Sequence, residues 1–156
     1  HIAGVFKADD TQGQNRHKGY VRALQEAGMP YDPDMVVWFY TEDRKIHPYE
    51  GIQNIAKNKE LDAVVCYNDQ NAMGVIRALE ALDLKIPDDV SVTGYDNFYM
   101  ANQSDFRLTS IAHPQEKLGE MAAELLLDLV VNGENSEKQK IMIEPELVEG
   151  TSCKRR

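Results

Sequence analysis

The chain predicts an α/β fold built on a doubly wound parallel sheet, and three observations carry that expectation. Apolar runs of strand length alternate with stretches of helical period, in the order βαβαβαβ. The connections between those runs are long enough for the right-handed helical crossovers that parallel strands require. Two of the runs, Ala63-Val64-Val65 and Val90-Ser91-Val92-Thr93, lead straight into the polar strings Cys66-Tyr67-Asn68-Asp69-Gln70-Asn71-Ala72 and Gly94-Tyr95-Asp96-Asn97. Ligands of open α/β sheets bind at the carboxyl ends of the strands. Strand ends that present amides and carboxylates together therefore predict a polar small-molecule site suited to hydroxyl groups.

Each element has its own signal. Ile2 to Phe6 is a strand, and Gln14 to Ala27 a helix with Tyr20, Ala23, Leu24 and Ala27 on one face. Gly28 and Pro30 stop it. Met35 to Tyr40 is a second strand, and Pro48 to Lys57 a helix that buries Ile52, Ile55 and Ala56. Leu61 to Tyr67 is the third strand. Asn68 or Asp69 caps the helix Gln70 to Leu82, whose Ala72, Val75, Ile76, Leu79 and Leu82 keep the helical period. Pro87 and Asp88 turn the chain into the strand Val90 to Gly94. Asn97 to Phe106 is irregular or a short helix, and Leu108 to Ala112 a short strand. Pro114 opens a helix over Gln115 to Val131, with a wide stripe of Leu118, Met121, Ala122, Leu125, Leu126, Leu129 and Val130. Gly133 ends it, a charged loop follows, and Lys140 to Leu147 is a last strand kept at an edge by Pro145.

Composition narrows the function. The chain has 156 residues, of which 42% are hydrophobic, enough for a packed core. Its net charge of −9 argues against gripping a phosphate backbone by itself. Cys66 and Cys153 have no metal or redox spacing and fit free thiols in a reducing, cytoplasmic compartment. No apolar run is long enough to span a membrane.

Capping alone would account for Asn68 and Asp69, and Asp96-Asn97 fits an ordinary Asx turn. Coincidence raises the functional reading. Two strands end in Asp/Asn pairs, and the first strand leads into a third polar cluster of Lys7, Asp9, Asp10, Thr11, Gln12, Gln14, Asn15 and Arg16. Arg16, expected in the first turn of its helix, is disfavoured there by the helix dipole unless a carboxylate or a ligand oxygen compensates. Solvated surface is the other reading of Arg16. Catalytic signals are weak: His17, His47 and His113 are scattered, and there is no nucleophile elbow and no metal spacing. Acidic Asp9-Asp10 stands where a phosphate site needs bare amides. The expectation is a binding protein with no cofactor and no metal, not an enzyme.

Ile86-Pro87-Asp88-Asp89-Val90-Ser91-Val92-Thr93-Gly94-Tyr95-Asp96, the Asn68-Asp69 strand end, Leu108-Thr109-Ser110-Ile111 and the helix with Leu118-Gly119 and Ala122-Ala123 together resemble the lactose- and galactose-repressor family of bacterial regulators. Gly4 to Arg16 is similar, more narrowly, to that family's arabinose repressors of Gram-positive bacteria. The resemblance implies a periplasmic-binding-protein-like effector domain, with a monosaccharide such as L-arabinose held between two subdomains. It makes residues 1–113 the second subdomain, 114–133 a helix that crosses to the first, and 134–156 the returning strand and tail. It implies ligand contacts from Asp10, Gln12, Arg16, Asn68 and Asp96. The family's aromatic wall falls on Ile46 and His47, which are not aromatic rings of that kind, so Tyr40, Tyr49 or the other lobe would replace it. It implies a homodimer through Asn71, Val75, Phe98, Tyr99 and Met100, and DNA contact only through a head domain outside this chain. A sugar transporter's solute-binding protein shares the fold and is the alternative; a fragment of an α/β enzyme is a third class.

Overall fold

The computed structural model describes residues 1–98, 106–133 and 140–155. Four parallel strands form the main sheet in the order β2-β1-β3-β4: β1 is Ile2–Lys7, β2 Val36–Phe39, β3 Ala63–Cys66 and β4 Ser91–Thr93. Strand β5, Ser110–Ala112, extends the sheet beyond β4 through the parallel bridges Thr93–Thr109 and Asp96–Ala112. Helix α1 (Thr11–Glu26) covers one face, and α2 (His47–Asn58) and α3 (Asp69–Glu80) cover the other. The alternation in β1 shows why both faces must be covered. Ala3 and Val5 join the α2/α3 core with Val37, Phe39, Val64 and Val92, while Phe6 packs with Tyr20 and Leu24 of α1. A strand buried on both faces is apolar throughout, which is how these runs read in the sequence.

The element boundaries shift for local reasons. Helix α1 begins at Thr11, not Gln14, because the Asp10 carboxylate accepts the Gly13 amide and caps it there. Arg16 therefore stands in the second turn. Ala23 and Ala27, expected on the buried face of α1, are exposed, and burial rests on Gly13, Tyr20 and Leu24. A Cβ on Gly13 would lie 2.0 Å from the Lys7 carbonyl, so the start of α1 can seat this closely on the end of β1 only with glycine.

Downstream of β5 the chain leaves the core. Helix α4, Gln115–Asn132, follows the expected span, yet none of its residues is buried. Its stripe of Leu118, Leu126, Leu129 and Val130 faces solvent, so packing onto its own sheet is ruled out among the described residues. The last strand is shorter than expected. Only β6, Glu146–Val148, pairs, antiparallel to β5. Pro145 has no N–H to give a ladder, and pairing starts after it. The tail then closes on β4: Val92 N donates to the Ser152 carbonyl at 3.0 Å, and the Ser152 hydroxyl donates to the Val92 carbonyl at 2.6 Å. No helix among the described residues is long and apolar enough to cross a membrane.

Candidate ligand-binding site

The carboxyl ends of β1, β3 and β4 converge, and the residues that follow them meet around one guanidinium. Arg16 reaches from α1 across the end of β3, where an N–H of the side chain donates to the Tyr67 carbonyl. Its planar group lies against two rings, 4.5 Å from the centroid of Tyr67 and 3.7 Å from that of Tyr95. A terminal nitrogen stands 3.9 Å from an Asp96 carboxylate oxygen. The same oxygen lies 3.7 Å from Nε2 of His113, whose ring meets Tyr95 edge-on at 4.9 Å. From the second turn of α1, where the dipole penalty expected for a first-turn cation has faded, Arg16 meets a carbonyl and a carboxylate. Burial pushes the Asp96 carboxyl above its ordinary range, and Arg16 and His113 pull it back in part.

Beneath this pair lies a second charged layer. The Tyr67 hydroxyl donates to Asp10 at 2.8 Å, and the Lys7 ammonium stands 3.1 Å from Asp10 and 3.6 Å from Asp9. Burial raises the Asp10 carboxyl, but the Gly13 amide, the Tyr67 hydroxyl and Lys7 outweigh it and hold the group below the usual range. Asp9 turns the other way and accepts from the Thr41 hydroxyl and amide, tying the end of β1 to the loop after β2. Asn68 caps α3, its side-chain carbonyl oxygen accepting the Asn71 amide at 2.9 Å. Gln12 stands exposed on the first turn of α1, beside the Thr11 hydroxyl.

Asp96 stands on the wall of two open clefts. One, of about 520 Å³, is lined by Asn68, Asp69, Gln70, Met73, Arg77 and Phe98; the other, of about 640 Å³, by Ala112, His113, Pro114 and the first turn of α4. The structure thus brings Asp10, Arg16 and Asp96 into one linked cluster, with Asn68 at its edge. Three members were not singled out from the sequence. Tyr67 and Tyr95 share a signal, since each directly precedes the Asx residue at a strand end. His113 reads as a scattered histidine until the Asp96–Ala112 bridge sets it beside Asp96. Tyr49 lines a small cleft between α2 and α3 with Arg44 and Arg77, and Tyr40 is exposed, so the rings at Arg16 come from Tyr67 and Tyr95 instead. Among the described residues, no group of three or more His, Cys, Asp or Glu could hold a metal ion.

The residues expected between chains need correction. Val75 is fully enclosed in its own core, and Asn71 is buried with its amide donating to the Arg44 carbonyl. Both side chains are thus engaged within the chain, Val75 in the core beneath α3 and Asn71 at the α2 side, and neither lies on the exposed face of α3. Phe98 is exposed; Tyr99 and Met100 lie outside the described residues.

A family model described as a periplasmic binding protein-like domain matches residues 1–153. The chain is 33% identical over 153 residues to the arabinose metabolism transcriptional repressor of Halalkalibacterium halodurans, covering 94% of this chain and 41% of that protein. It is 38% identical over 141 residues to the HTH-type transcriptional repressor PurR of Photorhabdus laumondii, covering 90% and 40%. Its fold matches a solved complex of the transcriptional regulator CelR with cellobiose, with a TM-score of 0.83 and 30% identity over 97% of this chain and 46% of that one. The chain spans less than half the length of each of these relatives.

Proposed function

This chain belongs to the periplasmic binding protein-like domain family, and from that premise we infer that it is one lobe of the sugar-sensing unit of a transcriptional repressor. The observation that carries this reading is the Arg16–Asp96 pair at the sheet's carboxyl rim, flanked by Tyr67 and Tyr95. A guanidinium and a carboxylate can each make paired hydrogen bonds to neighbouring hydroxyls, and aromatic faces suit the apolar face of a sugar ring. We take Asp10 and Asn68 as supporting polar groups, Gln12 as an outer contact, and His113 as a further one.

Similarity to an arabinose metabolism repressor makes L-arabinose the first effector to test. On this reading α4 crosses to a second lobe, and closure of the lobes around the sugar biases a homodimer between DNA-bound and released states. That is a coupling free energy between two sites, not chemistry. With a net charge of −9, this lobe would leave DNA contact to another part of the protein. The exposed side of α3, with Gln70, Met73 and Arg77, and Phe98 beside it, is the surface we assign to the second copy.

Calorimetric titration of the full-length protein with L-arabinose tests the reading. Saturable binding is expected, and Asp96→Ala should weaken it by about 2–3 kcal/mol, the usual size for a charged hydrogen bond removed. Unchanged affinity would take Asp96 out of the site.

A further inference from the structure

Asp96 and Asn97 follow β4 with φ of 103° and 49°, in the left-handed region that side chains other than glycine rarely adopt. Asp and Asn enter it more readily than other side chains, and two in succession persist only where the surroundings over-determine them. Here the surroundings converge on one buried carboxylate. Asp69, at the first position of α3, is 1% exposed. One of its oxygens accepts the Ser110 hydroxyl at 2.6 Å, and the other accepts the Phe98 amide at 2.6 Å. Its own amide donates to the Tyr95 carbonyl at 2.9 Å. The Ser110 hydroxyl in turn accepts the Asn97 amide at 3.0 Å, and the Asp96 amide donates to the Ile111 carbonyl at 2.9 Å. The loop is held on both sides of Asp96, from Tyr95 to Phe98, and Asp69 or its partner Ser110 makes most of those bonds.

Capping does not explain Asp69, because Asn68 already caps α3. Core packing does not explain it either, since burying a carboxylate is costly unless every bond it needs is made. The fit is close. A Cβ on Gly94 would fall 2.1 Å from the Asp69 oxygen and 2.7 Å from Leu108, so glycine alone lets β4 pass. Burial raises the Asp69 carboxyl, and the Ser110 and Phe98 hydrogen bonds oppose that shift by favouring the ionised acceptor.

We propose that Asp69 and Ser110 form a positioning pair for the ligand site: each is 1% exposed at the base of the wall that carries Asp96, and they fix the left-handed backbone that aims the Asp96 carboxylate. The proposal rests on Asp96 as a ligand contact. It differs from a purely structural role in that the loss should appear at the Asp96 loop and in affinity, not in the core.

The test uses the full-length protein with Ser110→Ala, which removes the hydroxyl's bonds to Asp69 and Asn97, and Asp69→Asn, which removes the carboxylate charge; neither leaves the cavity of a large side chain. Two quantities are read: amide hydrogen exchange at Asn97 and Phe98, and affinity for L-arabinose. Exchange at those amides should speed up about tenfold while the amides of β1 stay unchanged, and affinity should fall about tenfold, the size of one hydrogen bond to a charged partner. In an Asp96→Ala background, Ser110→Ala should change residual affinity less than about twofold, as coupled residues do. Unchanged exchange at Asn97 and Phe98 would overturn the proposal, as would independent, additive losses of affinity. If the unaltered protein binds no arabinose, the sugar reading fails, and the exchange arm still decides whether the pair holds the loop.

Discussion

Arg16 illustrates what a single side chain can organise. Its fork gives a hydrogen bond to a strand-end carbonyl and a face to each of two rings, while a free edge points to Asp96. A lysine ammonium has the charge but not the plane, and would lose the stacking that fixes the group. Tyr20, at the other end of α1, carries a residue-scale prediction. Its hydroxyl donates to the Ile2 carbonyl at 2.7 Å, and burial pushes its ionisation up to about 12. The folded value lies above the ordinary one of about 10. The stabilisation is therefore complete below pH 10 and is lost as pH rises through 12, by about 2–3 kcal/mol in all. Urea unfolding followed from pH 9 to 12 should show that decline, and Tyr20→Phe should flatten it.

At the scale of elements, α3 and α4 carry the same kind of apolar stripe and opposite fates. Leu79 of α3 is fully buried, whereas Leu126 of α4 is 62% exposed. Leu79→Ala should cost about 2–5 kcal/mol in urea unfolding of this chain, and Leu126→Ala less than about 0.5 kcal/mol. Comparable losses from both would mean that α4 packs on this lobe. The contrast also marks how far the sequence can be read. Helical period reports that a face wants cover, but not what covers it. The strands of the sheet were legible because both of their faces are buried, and their ends were less so because the ladder stops where the partner strand turns away. Arg16, Asn68 and Asp96 could be singled out as candidates because strand ends are where such sheets bind ligands, and the fold does set Arg16 beside Asp96. Tyr67 and Tyr95 could not, since an aromatic beside an Asx residue looks the same whether it plugs a core or faces a guanidinium. Asp69 looked like a cap, because its true partners, Ser110 and Phe98, come together only through the β4–β5 pairing.

For the whole molecule, the exposed face of α4 and the open cleft beside it, between Asp96, His113 and Pro114, point the same way. If the chain is one lobe of a sugar site, as proposed, it should bind sugar weakly alone. Titrating the 156-residue chain beside the full-length protein should show arabinose affinity at least about 100-fold lower in the shorter one, about 2.7 kcal/mol. Equal affinity would place the site wholly within this lobe. The placement of the two cysteines has a consequence of another kind. Cys66 lies in the core strand β3, its ionisation raised by burial, while Cys153 sits half-exposed on the tail that closes the sheet at β4. A thiol reagent added to the native protein meets two clocks. Cys153 runs at the pace of tail fraying, and Cys66 at the pace of the rare openings that expose the core. The slow phase, set against the rate of the same reagent with the unfolded chain, thus measures the free energy of opening the core in plain buffer, and its change on adding a candidate sugar measures how far that ligand tightens the fold.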